Sequence, residues 1–190
     1  SSHANSIAQI HGILWSLGRY VDLSLVHRNY SRAFITLQTN GFGEGSNASN
    51  EQGTYLGFQS KLSRKFTLLG YYDLYRTPWL SFRADAPASG NDLWSELQYR
   101  PSRAWNAYYR FRVETKQVNG SGENLKTLTS QTLTRHRLHL NYTIQKGIEL
   151  RSRMEWSIYD KENERSLGSL LYQDIIYKPF GKKLQLSTRV

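Results

Sequence analysis

The stretch that decides the fold runs from Arg135 to Lys183: RHRLHLNYTI at 135–144, a tight QKG, IELRSRMEWSIY at 148–159, a polar connection, and LLYQDIIYKPFGKK at 170–183. Leu138, Leu140, Tyr142 and Ile144 alternate with Arg137, His139, Asn141 and Thr143 in the first run. Ile148, Leu150, Met154, Trp156 and Ile158 alternate with Glu149, Arg151, Arg153, Glu155 and Ser157 in the second. A period of two residues puts one set of side chains on each face of a strand. Runs of about ten residues with one apolar face and one face rich in Arg and Glu suit a transmembrane β-barrel, because about 9 to 11 tilted residues cross the hydrocarbon layer.

Working outward, turn residues and alternation together predict ten strands and no helix, at 7–16, 21–30, 53–62, 66–76, 92–100, 105–117, 132–144, 148–159, 168–178 and 183–190. The connections alternate between two kinds. Short turns fall at Leu17–Tyr20, Ser63–Lys65, Pro101–Ala104, Gln145–Gly147 and Pro179–Lys182, and long loops at 31–52, 77–91, 118–131 and 160–167. Strict alternation gathers short turns at one end and long loops at the other, the asymmetry of outer-membrane barrels, whose short turns face the periplasm. Trp15, Tyr20, Phe66, Trp105 and Phe180 lie beside short turns, as in an interfacial aromatic girdle. The expected fold is therefore an all-β, antiparallel, up-and-down transmembrane β-barrel. The chain reads as a portion of one such domain within a larger sheet, since Val190 falls inside the alternating run KLQLSTRV. A soluble all-β sandwich or barrel would turn the same apolar residues inward and remains the alternative.

Composition excludes other classes. At 38% hydrophobic residues and a mean hydropathy of −0.62, no segment approaches the roughly 20 apolar residues of a spanning helix, so a membrane reading has to be a barrel reading. There is no Cys, hence no disulfide or thiolate metal site. The opening SSHANSIAQI lacks a charged start and a long apolar core, so a secretory leader is expected either to have been removed or to lie upstream. The formal charge of +10 could attract nucleic acid, acidic glycans or lipid head groups, but the lining and solvation of a polar face is the preferred reading.

The residues expected to line the interior include Arg110, Arg112, Glu114, Arg135, Arg137, Arg151, Arg153 and Glu155. The same face takes Arg28, Lys61, Arg100, Lys116, Lys183 and Arg189 with Asp22, Asp73, Glu96, Glu149 and Asp174. A positive lining would make a porin-like, anion-attracting pore. A ladder of Arg–carboxylate pairs would instead stiffen and fill the interior, and this ranks higher because nearly every arginine has a carboxylate two residues away or on the next strand. Trp79 and Phe82 are candidate contacts in the 77–91 loop, either for a partner or, preferred, as a lid over the mouth. Oxygen-bearing residues from Asn40 through Glu44, Ser46, Asn47 and Asn50 to Glu51 could hold Ca²⁺, but a plain surface loop is the stronger reading. His136 and His139, three apart on a strand, point to opposite faces and cannot share a metal; His11 and His27 are assigned structural roles. No nucleophile elbow, Walker motif, zinc spacing or Rossmann fingerprint occurs, so neither catalysis nor a cofactor is expected.

HRNYSRAF at 27–34, GFGEGSNASNEQGTYLGF at 41–58, YYDLYRTPWLSFRADAPASG at 71–90, the PSR turn with YYRFR at 108–112, RHRLHLNY at 135–142 and LLYQDIIYKP at 170–179 resemble the C-terminal part of Bacteroidetes outer-membrane proteins that carry a helix-hairpin-helix domain. The resemblance implies an outer-membrane location, outer-membrane lipid and other envelope proteins as partners, and a periplasmic helix-hairpin-helix region upstream. Such modules bind DNA backbone, but none of their residues is in this chain, so contact with nucleic acid is a speculative extension. The expected function is that of a non-enzymatic barrel, either a channel or a structural and assembly component. A soluble or surface-attached module binding glycans or another polyanion is the alternative.

Overall fold

The computed structural model describes residues 6–35, 41–45, 49–121, 127–145, 147–179, 181 and 184–190. They form a single ten-stranded antiparallel sheet in sequence order: β1 (Ala8–Leu17), β2 (Val21–Tyr30), β3 (Glu51–Lys61), β4 (Phe66–Thr77), β5 (Ala88–Tyr99), β6 (Trp105–Asn119), β7 (Leu128–Gln145), β8 (Ile148–Lys161), β9 (Glu164–Tyr177) and β10 (Leu186–Arg189). Every neighbour is joined as an up-and-down meander, and no helix occurs among the described residues. The sheet is open, with β1 and β10 as its edges.

Register sorts the side chains into two sets. Arg137 stands opposite Arg110 on one side and Glu155 on the other, and Arg112 opposite Arg135 and Trp94, so the charged residues of β5 to β8 share one face. Leu138, opposite Tyr109 and Met154, belongs to the other face with Leu56, Leu74 and Leu93.

Burial is inverted relative to a soluble domain. Arg28 and Asp92 are the largest fully buried side chains, and Glu51, Asp73 and Glu96 are also buried. Leu56, Leu74, Leu138 and Met154 are about half exposed. A single-layer sheet buries one face by curling toward it, so the charged face is the inner one. The chain exposes 13638 Å², whereas a compact soluble monomer of this mass exposes about 9300 Å². An open single-layer sheet whose apolar outer face is uncovered has an excess of this sign.

At the short-turn end, aromatic residues pair across strands on the outer face: Phe66 stacks on Tyr99 at 4.6 Å and Trp105 packs tilted against Tyr142 at 4.4 Å, with exposed Trp15 and Tyr20 beside the first turn. Phe180 of the expected girdle lies outside the described residues. The β7–β8 turn requires glycine, because Gly147 has φ +96° and a Cβ there would sit 2.6 Å from the Lys178 carbonyl oxygen.

At the opposite end the strands outrun the expectation. β7 begins at Leu128, β5 at Ala88 and β9 at Glu164, all earlier than the alternation suggested. The expected long connection at 160–167 is in fact a two-residue turn at 162–163, with Glu162 at φ 52°. There the outer positions change to polar residues such as Ser89, Gln117, Ser130 and Asp160 while the ladder continues, so backbone pairing persists where apolar alternation has ended.

Candidate functional site

The inner face holds a series of separate ion-pair clusters. On β2, Arg28 donates from Nε to Glu51 at 2.5 Å and from both terminal nitrogens to Asp73 at 2.8 and 3.0 Å. Gly53, opposite Arg28, makes the room: a Cβ at that position would lie 2.5 Å from the guanidinium carbon. On β6, Arg112 forms a fork with Asp92 at 2.8 and 2.7 Å, and Arg110 donates twice to Glu96 Oε2 at 2.7 and 2.5 Å. Tyr71 also donates to Asp92, at 2.7 Å. Glu114 gathers Lys116 at 3.0 Å, Arg135 at 3.3 Å and Arg112 at 3.7 Å. Glu155 lies between Arg137 and Arg153, and Arg151 pairs with Glu149 at 2.9 Å on its own strand. Arg189 forks onto Asp174 at 2.6 and 2.9 Å.

All eight leading interior candidates, Arg110, Arg112, Glu114, Arg135, Arg137, Arg151, Arg153 and Glu155, therefore share one face, and each has an opposite charge in contact. Charge-assisted forks of this kind fix side chains in place and neutralise them locally. Asp22 accepts from Ser16 at 2.6 Å, Lys61 and Arg100 sit exposed at the short-turn end, and Lys183 is outside the described residues.

Sequence reasoning missed an aromatic row on this face. Phe42 meets Tyr55 edge-on at 5.3 Å, Tyr55 meets Tyr71 at 5.2 Å, and Tyr71 stacks on Trp94 at 5.5 Å. Arg28 caps one end over Phe42 and Arg110 the other over Trp94. Asp92 was missed as well, although its alternation with Trp94 and Glu96 carries the two-residue signal.

Phe42 belongs to a connection that folds onto the inner face. Glu51 accepts from the Glu44 and Gly45 amides at 3.1 to 3.3 Å, and Tyr30 donates to the Phe42 carbonyl at 2.9 Å. Burial, reinforced by the carboxylates of Asp92, Glu114 and Asp73, pushes the Glu44 carboxyl up to about 7. The calcium reading gains nothing from this loop: Glu51 is committed to Arg28 and backbone amides, and Asn50 to the backbone of Trp79 and Leu80. Asn40, Ser46 and Asn47 lie outside the described residues, and no cluster of three metal-ligating side chains occurs among the described ones.

The two loop contact candidates separate. Trp79 is held by Asn50 and lies under Arg32 at 4.7 Å, whereas Phe82 is 90% exposed, with the Arg83 guanidinium over its ring at 5.2 Å. The loop is anchored at Arg83 and Asp85, since Asn119 donates to the Arg83 carbonyl and exchanges hydrogen bonds with Asp85 at 2.8 Å. His136 contacts Tyr109 and Trp156 on the outer face while His139 stacks on Tyr108 on the inner, so they diverge as expected. The register also sets His11 directly opposite His27, which instead bonds Thr54 at 3.0 Å.

Comparison with family models, curated proteins and solved structures finds no match for this chain. The geometry defines the class unaided: an open antiparallel meander with a charge-paired inner face and an apolar outer face.

Proposed function

We propose that this chain is the wall of a non-enzymatic β-barrel in a bacterial outer membrane, acting as a structural or assembly component with a self-neutralised interior. The observation that carries the proposal is the inverted burial, with Arg28, Asp92 and Glu96 buried and Leu56, Leu138 and Met154 exposed. Hydrocarbon stabilises an apolar surface that water would penalise at about 25 cal/mol per Å². On β6 the outer apolar run from Trp105 to Val113 would rise roughly 20 Å at about 3.3 Å per residue and a tilt of about 40°, and the adjoining side chains bring it toward the ~25 Å apolar band of such barrels. The resemblance to Bacteroidetes outer-membrane proteins points the same way and makes outer-membrane lipid and envelope proteins the natural partners. Ion pairing throughout the inner face favours a stiff, charge-balanced wall over a strongly anion-selective channel, which planar-bilayer recording would separate.

The test is Leu138→Arg. In a membrane wall this places a charge on the lipid face and costs about 2 to 4 kcal/mol near the bilayer midplane, read from urea unfolding in lipid vesicles. In a soluble glycan-binding module the same half-exposed position tolerates Arg within about 0.5 kcal/mol. A protein that is monomeric in detergent-free buffer and indifferent to Leu138→Arg overturns the proposal.

A further inference from the structure

The net charge is not spread over the molecule. Ten of the 25 Lys and Arg lie in the short turns and the residues flanking them, at 17–21, 61–66, 99–105, 145–148 and 177–186, and these segments contain no Asp or Glu. The fifteen Lys and Arg left over equal the 15 Asp plus Glu of the whole chain, so the entire +10 sits at one end. Arg19, Lys61, Arg64, Lys65, Arg100 and Arg103 are all exposed, and among the described residues none of them forms an ion pair, in contrast to the arginines of the inner face. The sequence places the other four at 146, 178, 182 and 183. The opposite end, carrying the long connections, holds both signs, as at Arg83 with Asp85 and Lys161 with Glu162.

Position identifies the partner. The basic groups sit directly beside the outward aromatic pairs Phe66–Tyr99 and Trp105–Tyr142, that is, at the level where aromatic rings mark a lipid head-group layer. They recur once per hairpin along the rim, two strands or roughly 10 Å apart, in the manner of contacts to a planar anionic surface. A nucleic-acid groove would gather charge into a track with stacking platforms. Here the exposed rings lie on the apolar face and the inner aromatic row is occupied by its own neighbours.

We propose that the short-turn rim binds the head groups of anionic glycerophospholipids in the adjoining leaflet, anchoring the wall's height and orientation. This inference rests on the membrane-wall reading. It adds a lipid class and a set of residues to it.

The full chain, folded into phosphatidylcholine vesicles, is probed by energy transfer from Trp15 and Trp105 to trace dansyl-labelled phosphatidylglycerol or dansyl-labelled phosphatidylcholine. Each basic group close to an anionic surface contributes up to about fivefold in association. The labelled phosphatidylglycerol should therefore be enriched roughly tenfold or more around the wild-type protein. High salt and the variant Arg19→Gln/Arg64→Gln/Lys65→Gln/Arg103→Gln should abolish most of that enrichment, and Arg32→Gln/Arg83→Gln at the other end should leave it intact. Equal transfer to both lipids, or enrichment unchanged in the fourfold variant, overturns the inference while leaving the wall reading standing. Failure to insert into either vesicle overturns both. Binding of a duplex oligonucleotide in detergent that outcompetes phosphatidylglycerol for these residues would transfer the rim to a nucleic-acid role and also overturn the inference.

Discussion

Replacing Arg28 by Met tests whether the inner ladder holds the sheet together. Arg28 has no exposed surface, and its guanidinium makes three hydrogen bonds to Glu51 and Asp73, themselves 3% and 5% exposed. Methionine fills comparable space but leaves two carboxylates buried with no cation, and breaking a buried pair by removing one partner costs about 3 to 5 kcal/mol. At neutral pH we expect the lower end, about 3 kcal/mol, or roughly a hundredfold in the unfolding equilibrium at about 1.4 kcal/mol per tenfold. The assay is urea unfolding in phosphatidylcholine vesicles, followed by tryptophan fluorescence and by the shift between folded and boiled forms on a gel. The variant Arg28→Met/Glu51→Gln/Asp73→Asn removes the stranded charges and should recover at least half of the loss. A loss below about 1 kcal/mol, within the range of exposed ion pairs, or a triple variant no more stable than the single one, refutes the reasoning.

Gly53→Ala should destabilise by about 1 to 3 kcal/mol in the same unfolding assay, since its methyl would strike the Arg28 guanidinium, and should add little to Arg28→Met because the obstructed group is then gone; full additivity would argue against the notch. The segment at 41–45 should hold its place most firmly below the ordinary carboxylate range and loosen as pH rises through about 7, because a raised Glu44 pKa means that docking disfavours the ionised form. Limited proteolysis across pH 6 to 8 should show this rise, and Glu44→Gln should flatten it, its own profile serving as the control for protease activity. In intact cells Ser89→Cys should react with a bulky external maleimide and Arg103→Cys should not, because short turns face the periplasm; the reverse labelling would invert the topology.

Alternation in the sequence was enough to find ten strands and the face that each candidate side chain occupies, because a two-residue period leaves no freedom once a strand has one apolar face. What escaped it has two physical causes. The first is that the apolar pattern lasts only as long as the apolar band, so strand ends made of residues such as Leu128–Gln131 and Ala88–Asn91 look like loops although their backbone stays paired. The second is that pairing partners depend on register across neighbouring strands. Arg112 could be assigned to the inner face from its neighbours, but its fork to Asp92 needs the β5–β6 alignment, and the approach of Glu51 to Arg28 needs the fold of the preceding connection as well.

The two free margins of the sheet have a consequence for assembly. In any sheet, half of the residues of a border strand direct both N–H and C=O away from their single neighbour, so the ten residues of β1 present about five donors and five acceptors sideways. Water satisfies such groups at no cost, but in hydrocarbon each unsatisfied one costs several kcal/mol. The total for one border reaches tens of kcal/mol, far more than the 5 to 15 kcal/mol that stabilises a typical domain. On the membrane-wall reading, insertion and completion of the cylinder would thus be a single thermodynamic event: whichever strand docks on β1, β10 or one from a partner, admits the sheet to the bilayer.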